Sequence, residues 1–366
     1  MFRTVKVKLQ GELQPLYQTA VLYTQACQLS LNYGFEHKTC SKTILSNGTY
    51  KLIRTAIPQL PAGLVQTARD QASEMLKKKG FSQLPIRKKL QIRYDRRTFR
   101  FYPVSGYVSL NTVVGRLKFR IKLYDHVKQY FGGRYTSSQL IFRKNKVFLN
   151  VQYELPSIPS SNGNRVLGID RGIRNIVTCD DNTFVNSKQL RAVKGRYQYM
   201  KTKLQSLGTR SAKRKLRKLA GRERRFTLDV NHRITKWIVQ KPYDAFAVEA
   251  LQVKRRKAQG KRFNKMLGSW SYGQLLRLLE YKAENLGKCV IEVDPRYTSQ
   301  QCSRCGHIDK KNRKGLGFRC LQCSLELNAD LNAARNIGQL GKSKLIRLSV
   351  SQPIGSPNTR QIQAIT

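Results

Sequence analysis

The sequence predicts a multidomain fold of mixed α/β and β type, with a β-rich region followed by an α/β region. Two observations support this prediction. Residues 85–155 consist of short β-rich runs, and the chain from residue 165 alternates between strand-like and helix-like patterns. Between these regions, residues 156–164 read PSIPSSNGN, a composition typical of a linker. The length of 366 residues leaves room for two or three domains of about 150 residues each.

The N-terminal part begins with a strand and continues with helices. Alternation of Val5, Val7 and Leu9 predicts the strand, and helical spacing of apolar residues follows from Leu16. A second helical stretch, PAGLVQTARDQASEMLKKK, starts with a proline and ends in lysines before Gly80. The β-rich runs after it predict a barrel or a sandwich of short strands.

In the second half, five strand-like runs alternate with helices. RVLGID, NIVTCDD and TFVN predict three consecutive strands, and AFAVEAL and KCVIEV predict two more. A basic helical region precedes the fourth strand. An amphipathic helix precedes the fifth, with its apolar side formed by Tyr272, Leu275, Leu276, Leu279 and Leu286. Strands and helices in this order predict a mixed α/β domain.

These patterns give the expected domain boundaries. We predict a β-rich domain over 1–20 and 85–160, a helical domain over 21–84, an α/β domain over 161–297 and 326–340, a cysteine-rich insertion over 298–325, and a flexible tail over 341–366.

Positive charge dominates the composition. Lys and Arg number 70 against 21 Asp and Glu, which gives a net charge of +49 and predicts a polyanionic partner. Nucleic acid is favoured over a membrane surface, because no apolar stretch approaches the roughly 20 residues of a spanning helix. The N-terminus also lacks the apolar core of a signal peptide, so a cytoplasmic location is expected.

Two basic runs lie in the α/β region. Residues 188–225 hold 15 Lys or Arg against one acid, Glu223, and residues 254–265 (KRRKAQGKRFNK) hold no acid. A solvated helix face is the simpler interpretation of a single charge run, but solvated helices usually mix signs to gain i,i+4 pairs. We therefore expect both runs to line a groove for nucleic acid.

Four of the eight cysteines form two CxxC pairs. Cys302 with Cys305 and Cys320 with Cys323 are separated by 14 residues, a spacing that predicts a zinc ribbon with four thiolate ligands. A redox role is the alternative for one CxxC pair but not for two at this spacing. Four thiolates leave no open position, so the zinc is expected to be structural and the nearby His307 to face solvent.

The other four cysteines are scattered among apolar or polar neighbours. Cys27, Cys40, Cys179 and Cys289 are expected to be small buried side chains without a chemical role. A disulfide framework is not expected in a chain of this size without a secretory signal.

Three carboxylates occupy positions that local structure does not explain. Asp170 ends the apolar run VLGI, Glu249 interrupts FAVEAL, and Asp330 begins a helix-compatible run. A buried carboxylate without a partner costs several kcal/mol, and a divalent cation such as Mg²⁺ can compensate it. The alternatives are an edge-strand charge facing water for Glu249 and a residue favoured by the helix dipole for Asp330.

Three carboxylates converging on one point repel each other unless cations lie between them. Two Mg²⁺ ions about 4 Å apart would relieve this repulsion and hold the attacking and leaving oxygens of a phosphodiester. The other acids that lie at turns or strand ends are lesser candidates: Asp180, Asp181, Glu292 and Asp294. His232 lies beside the apolar face of a predicted helix and is expected to pack or to contact backbone.

The order of the three acids, with a four-cysteine insertion before the last, resembles the RuvC-like nuclease domain of the TnpB family. This family comprises transposon-encoded, RNA-guided DNA endonucleases related to type V CRISPR effectors. The matching stretches span about 165–338 and read GIDRGIRNIVT, RERRFTLDVNHRITKWIV, FAVEAL, YTSQQCSRCG and ADLNAARNI.

The resemblance implies an RNase H-like (RuvC) nuclease domain with an inserted zinc ribbon, a β-barrel-like wedge domain and a helical recognition lobe. It implies that Asp170, Glu249 and Asp330 bind Mg²⁺, with Mn²⁺ as a substitute. The implied partners are a guide RNA and a double-stranded target DNA that is cut beside a short motif. A monomer in a prokaryotic cytoplasm, associated with the nucleoid, is favoured.

The sequence departs from the family pattern at four positions near the acids. Arg171 stands where Leu or Val is usual, Ala250 and Gln252 where Asp and Asn are common, and Leu327 where His is frequent. No catalytic acid is replaced, so an active enzyme is expected. The alternatives are an RNA-guided repressor without cleavage, which the intact acids disfavour, and a strand-transferring transposase, which predicts Glu as the final acid.

Overall fold

The computed structural model describes residues 1–143, 146–156, 158–159, 163–251, 260 and 271–350. Backbone proximity divides the chain into two compact units, Met1–Ser157 and Ile158–Thr366. The predicted basic run 254–265 lies, apart from residue 260, outside the described residues. Across the part that is described, no helix has the length and apolarity needed to cross a membrane.

The first unit combines helices with an antiparallel sheet. Its described elements are β1 (Phe2–Gln10), α1 (Gln14–Glu36), α2 (Lys42–Ala56), α3 (Ala62–Lys79), β2 (Gln91–Tyr94), β3 (Phe99–Tyr102), β4 (Tyr107–Thr112), β5 (Gly115–Lys122), α4 (Asp125–Lys128), β6 (Arg134–Arg143) and β7 (Lys146–Glu154). The predicted N-terminal strand, the helical stretches and the β-rich region are confirmed.

The seven strands of this unit form a curled sheet in the order β2-β6-β7-β1-β5-β4-β3. The apolar residues of β1 alternate with exposed ones and face the core, as period-2 alternation predicts. The ring of Phe101 on β3 lies 6.3 Å from that of Tyr153 on β7, and Phe99 lies 5.3 Å from Tyr135 on β6. Side chains from distant strands of the sheet therefore meet in its interior.

Helices and sheet of the first unit share one hydrophobic core. Tyr23 of α1, Ile53 of α2 and Leu64 of α3 belong to the same buried cluster as Tyr94 and Leu149 of the sheet. Burial of these apolar side chains together makes the helical and β-rich segments one compact unit.

The second unit contains a five-stranded mixed sheet and a small three-stranded sheet. Its described elements are β8 (Val166–Asp170), β9 (Asn175–Cys179), β10 (Phe184–Asn186), α5 (Lys188–Leu207), α6 (Arg210–Val239), β11 (Ala245–Glu249), α7 (Tyr272–Glu284), β12 (Cys289–Val293), β13 (Arg313–Lys314), β14 (Gly317–Arg319), β15 (Glu326–Asn328) and α8 (Ala329–Val350). The five predicted strands and the helices between them are confirmed.

The larger sheet has the strand order β10-β9-β8-β11-β12. Strands β8, β11 and β12 are parallel, whereas β9 and β10 are antiparallel to their neighbours. On one face, Leu167 and Val248 pack with residues of α6 and α7 such as Ile238 and Leu279. On the other face, Ala247 packs with Ile337 of α8. Both faces of the central strands are thus covered by helices.

Helix α8 approaches the sheet so closely that side chains do not fit between them. A Cβ atom added at Gly168 of β8 would lie 2.1 Å from the carbonyl oxygen of Ala334 and 2.4 Å from the backbone nitrogen of Gly338. One turn further along the helix, a Cβ added at Gly341 would lie 2.3 Å from the Cβ of Ala247. These glycines allow backbone-to-backbone packing and fix the height of α8 on the sheet.

The predicted tail over 341–366 is wrong for residues 341–350, because α8 continues to Val350. Leu345 packs against the apolar cluster under α8, and Lys344 donates a hydrogen bond to the carbonyl of Glu292 at 2.9 Å. Residues 341–350 read GKSKLIRLSV, and the apolar residues of this stretch show no clear helical period that would reveal the helix in the sequence. Residues 351–366 lie outside the described residues.

Two smaller expectations are also corrected. Cys289 is exposed, because it begins the edge strand β12, and Cys40 is only half-buried, whereas Cys27 and Cys179 are buried as predicted. Leu286 lies beyond the end of α7 and is 51% exposed, so it does not belong to the apolar face of that helix.

The close approach of α8 predicts a stability effect. Gly168→Ala should lower the free energy of unfolding of the second unit by about 1–3 kcal/mol, because the added methyl group overlaps the α8 backbone. Urea unfolding followed by tryptophan fluorescence measures this unit, since Trp237 lies in α6 and the sequence has no tryptophan within the first unit.

The matched control for this measurement is Gly195→Ala. Gly195 lies in α5, is exposed, and an added Cβ would have no atom within 4 Å. This change should stabilise the unit by about 0.5–1 kcal/mol. If both variants unfold at the same urea concentration, the close packing of α8 is refuted.

Candidate active site

Asp170 and Glu249 lie side by side at the carboxyl ends of two neighbouring parallel strands. The register pairs Ile169 of β8 with Val248 of β11, so the next residue of each strand is an acid. Side chains alternate along a strand, so Asp170 points to the same face as Gly168, and Glu249 to the same face as Ala247. Both acids therefore face the side of the sheet that α8 covers.

Asp330 enters the same place from α8. The helix runs antiparallel to β8, since Ala334 lies over Gly168 and Gly341 contacts Val166. Asp330 precedes Ala334 by one turn, about 6 Å along the helix. This matches the roughly 6.6 Å from Gly168 to Asp170 along the strand. Asp330 is only 7% exposed, so it is more than a surface residue favoured by the helix dipole.

Glu249 does not lie on an edge strand, since β11 lies between β8 and β12. The alternative of a water-facing edge charge is therefore wrong. The structure brings Glu249 and Asp330 into electrostatic contact with Asp170. Within the described residues, however, only the four cysteines have ligand atoms that all lie within 4.8 Å of one another, so the carboxylates form a more open group.

The surroundings of Asp170 and Glu249 disfavour the ionised form of both carboxyl groups. Burial raises the pKa of the Asp170 carboxyl to about 7, the charges of Glu249 and Asp330 add to this rise, and Arg313 opposes it. Burial also raises the pKa of Glu249, against the hydrogen bond from Thr298 and the charges of Arg171 and Arg313. The geometry therefore favours a bound cation.

Three neighbours of the acids were not predicted from the sequence. The Arg313 guanidinium, from the first strand of the small sheet, lies 3.3 Å from Oδ1 of Asp330. The Asn175 amide donates to Oδ2 of Asp330 at 3.1 Å. The Thr298 hydroxyl lies 2.5 Å from Oε1 of Glu249. A basic loop between the CxxC pairs was the only sequence signal for Arg313.

Arg171, the departure from the family pattern, is buried and does not face solvent. Its side chain is 5% exposed and its guanidinium donates to the backbone carbonyl of Glu249. Burial lowers the pKa of Arg171, and the charges of Glu249 and Glu292 oppose this effect. Arg171 thus joins the ends of β8 and β11, which carry two of the acids.

The lesser acidic candidates have other partners or lie exposed. Oδ2 of Asp180 accepts from the backbone N–H of Gly168 at 2.9 Å, and Oδ2 of Asp181 lies 2.5 Å from Nζ of Lys241. Asp294 accepts from the backbone N–H of Arg296, and Glu292 is exposed on the edge strand. The contacts of Asp180, Asp181 and Asp294 lie outside the acid group of Asp170, Glu249 and Asp330.

The four predicted cysteines form a compact cluster beside the small sheet. Sγ of Cys302 lies 3.6 Å from that of Cys323, Sγ of Cys305 lies 3.5 Å from that of Cys320, and all four lie within 4.8 Å of one another. Backbone N–H groups approach the sulfurs of Cys302 and Cys320, which favours thiolates. This cluster fits a tetrahedral zinc ion. His307 is not part of it.

Most Lys and Arg residues of the basic run 188–225, which forms α5 and the first part of α6, are exposed. Glu223, the acid in this run, pairs with Lys201. The backbone carbonyl of His232 in α6 accepts a hydrogen bond from Lys282, and the predicted packing or backbone-contacting role of the His232 side chain stays a prediction. The exposed basic residues of α6 before its apolar part are Arg210, Lys213, Arg214, Lys215, Arg217, Lys218, Arg222, Arg224 and Arg225.

Comparisons with known proteins agree with this geometry. A family model described as "Probable transposase" matches residues 150–259, and a model described as "Cas12f1-like, TNB domain" matches residues 272–337. The two models together cover both the first two acids and the cysteine cluster with the third acid. The predicted resemblance to the TnpB family is confirmed.

Among curated relatives, the CRISPR-associated endodeoxyribonuclease Cas12f1 of Sulfoacidibacillus thermotolerans is 30% identical over 246 residues, 59% of this chain and 56% of that protein. A TnpB-like protein of Methanocaldococcus jannaschii is 23% identical over 248 residues, 63% of this chain and 86% of that protein. The chain therefore spans little more than half the length of the Cas12f1 relative.

Among solved structures, a Cas12f1–sgRNA–target DNA complex matches with a TM-score of 0.64 and 17% identity, over 89% of this chain and 82% of that one. This likeness shows a shared fold. The chain therefore has a mixed α/β multidomain fold that resembles the Cas12f effectors.

The raised pKa of Asp170 predicts a pH dependence of stability without added Mg²⁺. The folded protein binds this proton up to about pH 7 and the unfolded chain only up to about pH 4, so stability falls as pH rises between these values. Asp170→Asn removes this effect. At pH 8 it should therefore be more stable than the wild type by about 2–4 kcal/mol.

Urea unfolding at pH 4 and pH 8, in buffer without added Mg²⁺, measures this difference. Asp294→Asn is the control, because this carboxylate is exposed. Its stability should depend on pH as that of the wild type does. If the stability of Asp170→Asn depends on pH as that of the wild type does, the raised pKa of Asp170 is contradicted.

The cysteine cluster predicts a metal content. Cys320→Ser should reduce bound zinc from about one ion per chain to near zero, because three thiolates hold zinc much less tightly than four. Metal analysis of the purified protein by mass spectrometry gives the count. Cys289→Ser, at an exposed cysteine outside the cluster, should retain the zinc. Full zinc content in Cys320→Ser would refute the site.

Proposed function

We propose that the chain is an RNA-guided DNA endonuclease of the TnpB type, associated with a transposable element. The observation that carries this proposal is the placement of Asp170, Glu249 and Asp330 at the carboxyl ends of β8 and β11 and at the start of α8. Such a group of one buried and two half-buried acids on three regular elements is suited to metal-assisted hydrolysis of a phosphodiester.

The sheet supports an RNase H-like (RuvC) nuclease domain in the second unit. Its order β10-β9-β8-β11-β12, with β9 antiparallel, is the order of that fold. The segment from Thr298 to Leu325, which contains the four cysteines, forms the proposed zinc ribbon. In the first unit, the curled sheet is the proposed wedge domain, and α1–α3 belong to the proposed recognition lobe.

The residues of the acid group fit Mg²⁺. The donors are carboxylate oxygens, which hard divalent cations prefer. Burial first, and then the charges of Glu249 and Asp330, raise the pKa of Asp170, and a bound cation would offset both effects. The chemistry that two such ions supply is stabilisation of the charge on the attacking and leaving oxygens. Mn²⁺, with similar ligand preferences, would substitute.

The neighbouring residues have defined tasks in this proposal. Asp170, Glu249 and Asp330 would hold the ions, while Arg171 keeps the backbone of Glu249 in place. The Arg313 side chain is 34% exposed beside Asp330 and would bind a phosphate oxygen of the DNA. This assigns binding of the substrate backbone to a residue of the ribbon.

Charge and likeness support nucleic-acid partners. The exposed Lys and Arg residues of α6 suit a phosphate backbone, and the similar Cas12f1 protein is named an endodeoxyribonuclease. We infer a guide RNA and a double-stranded target DNA as partners, with base pairing supplying sequence specificity.

A strand-transferring transposase is the second candidate, because one matching family model is described as "Probable transposase". Asp330 as the final acid favours hydrolysis, since the transposase alternative predicts Glu. The two activities differ in their products: hydrolysis releases free ends, whereas strand transfer joins donor DNA to target DNA.

The proposed function predicts RNA-dependent and acid-dependent cleavage. Protein purified with co-expressed RNA should retain a defined RNA, and should cut a matched DNA in the presence of Mg²⁺. Asp170→Ala, Glu249→Ala and Asp330→Ala should each lower the cleavage rate by more than about 100-fold while RNA is retained, because each removes a proposed metal ligand.

Asp294→Asn serves as the control, since this acid follows β12 at the same end of the sheet but is 64% exposed. It should cut at the wild-type rate. Cleavage that survives Asp170→Ala would overturn the active-site assignment, and protein that purifies without RNA would overturn guidance by RNA.

A further inference from the structure

Thr298 contacts a proposed metal ligand but has no assigned role. It is 1% exposed and lies in the segment that leads from β12 to the first cysteine of the cluster. Its hydroxyl lies 2.5 Å from Oε1 of Glu249 and 3.1 Å from the carbonyl oxygen of Pro295. A hydroxyl donates one hydrogen and accepts others, so with an ionised carboxylate it donates to Glu249.

The position of Thr298 is set by helix α8. The Asn336 side-chain amide donates to the carbonyls of Thr298 and Gln301, both at 2.8 Å. One turn earlier, Asn332 donates to the carbonyl of Gln301 at 2.7 Å and accepts from the backbone N–H of Ser303 at 3.0 Å. Both asparagines are at most 2% exposed.

These contacts connect Glu249 to the helix that carries Asp330. Asp330 and both asparagines belong to α8, and the segment that the asparagines hold carries the hydroxyl on Glu249. The asparagine amides donate to the backbone carbonyls of Thr298 and Gln301. Buried polar side chains with their hydrogen bonds satisfied hold their partners in one geometry.

We propose that Thr298 is a positioning residue that orients the Glu249 carboxylate toward the shared cation site, and that Asn336 holds Thr298 for this task. The proposal rests on the proposed function in one respect: it takes Glu249 to be a metal ligand. Thr298 acts through Glu249 and does not itself contact the reacting atoms.

The test compares Thr298→Val, which keeps shape and removes the hydroxyl, with Thr298→Ser, which keeps the hydroxyl. Mn²⁺ binding to the zinc-loaded protein without nucleic acid, measured by electron paramagnetic resonance, is the first readout. The Mg²⁺ concentration for half-maximal cleavage is the second. Zinc content and thermal unfolding report whether each variant is folded.

We expect Thr298→Val to weaken Mn²⁺ binding and to raise the half-maximal Mg²⁺ concentration by about tenfold, the loss of one hydrogen bond to a charged group. Thr298→Ser should remain within about twofold of the wild type. Asn336→Ala should shift both values in the same direction as Thr298→Val. Thr49→Val, at a buried hydroxyl bonded within α2 of the first unit, should change neither value.

The outcomes separate this proposal from the proposed function. Wild-type Mn²⁺ affinity in folded, zinc-containing Thr298→Val overturns the positioning role, as does equal weakening in Thr298→Ser and Thr298→Val. Unchanged Mn²⁺ affinity in Glu249→Gln overturns both proposals, because Glu249 is then no ligand. Suppose that Thr298→Val weakens Mn²⁺ binding, but that the wild-type protein cuts no DNA with any RNA that it retains. The positioning role is then supported, and guided cleavage is refuted.

Discussion

The backbone-to-backbone packing of α8 on β8 and β11 is the constraint on which the second unit depends. Without side chains at Gly168, Gly338 and Gly341, the helix lies at a fixed height and angle on the sheet. That height brings Asp330 level with Asp170. The same helix seats the segment before the cysteine cluster through two buried asparagines. The acid group and the cysteine cluster are therefore positioned by one contact surface.

Much of this architecture follows from local sequence patterns. Apolar runs gave the five strands of the second unit, and spacing alone identified the four cysteines. Asp170 and Glu249 stood out because they end or interrupt an apolar run, and Asp330 because it begins a helix-compatible run. The end of α8 did not stand out, because its contacts from Gly341 onward depend on small residues and a lysine that reaches a backbone carbonyl.

The partners of the acids could not be predicted, since they come from segments far away in the sequence. Arg313 reads as one more charge in a basic loop, and Thr298 as a small polar residue before a cysteine. In the sequence, Arg171 is a departure from the family pattern, and its side-chain direction could not be predicted. Only the structure shows that its guanidinium donates to the carbonyl of Glu249. Such contacts depend on tertiary packing, which periodicity does not record.

The late position of α8 in the chain also determines the order in which the molecule is built. Asn175 and Asp330, which touch in the folded protein, lie 155 residues apart in the sequence. During synthesis the strands that carry the first two acids emerge well before the ribbon and the helix that carries the third. A nascent chain that ends before Ala329 therefore has an incomplete set of acids, and the full group exists only after the ribbon has been made.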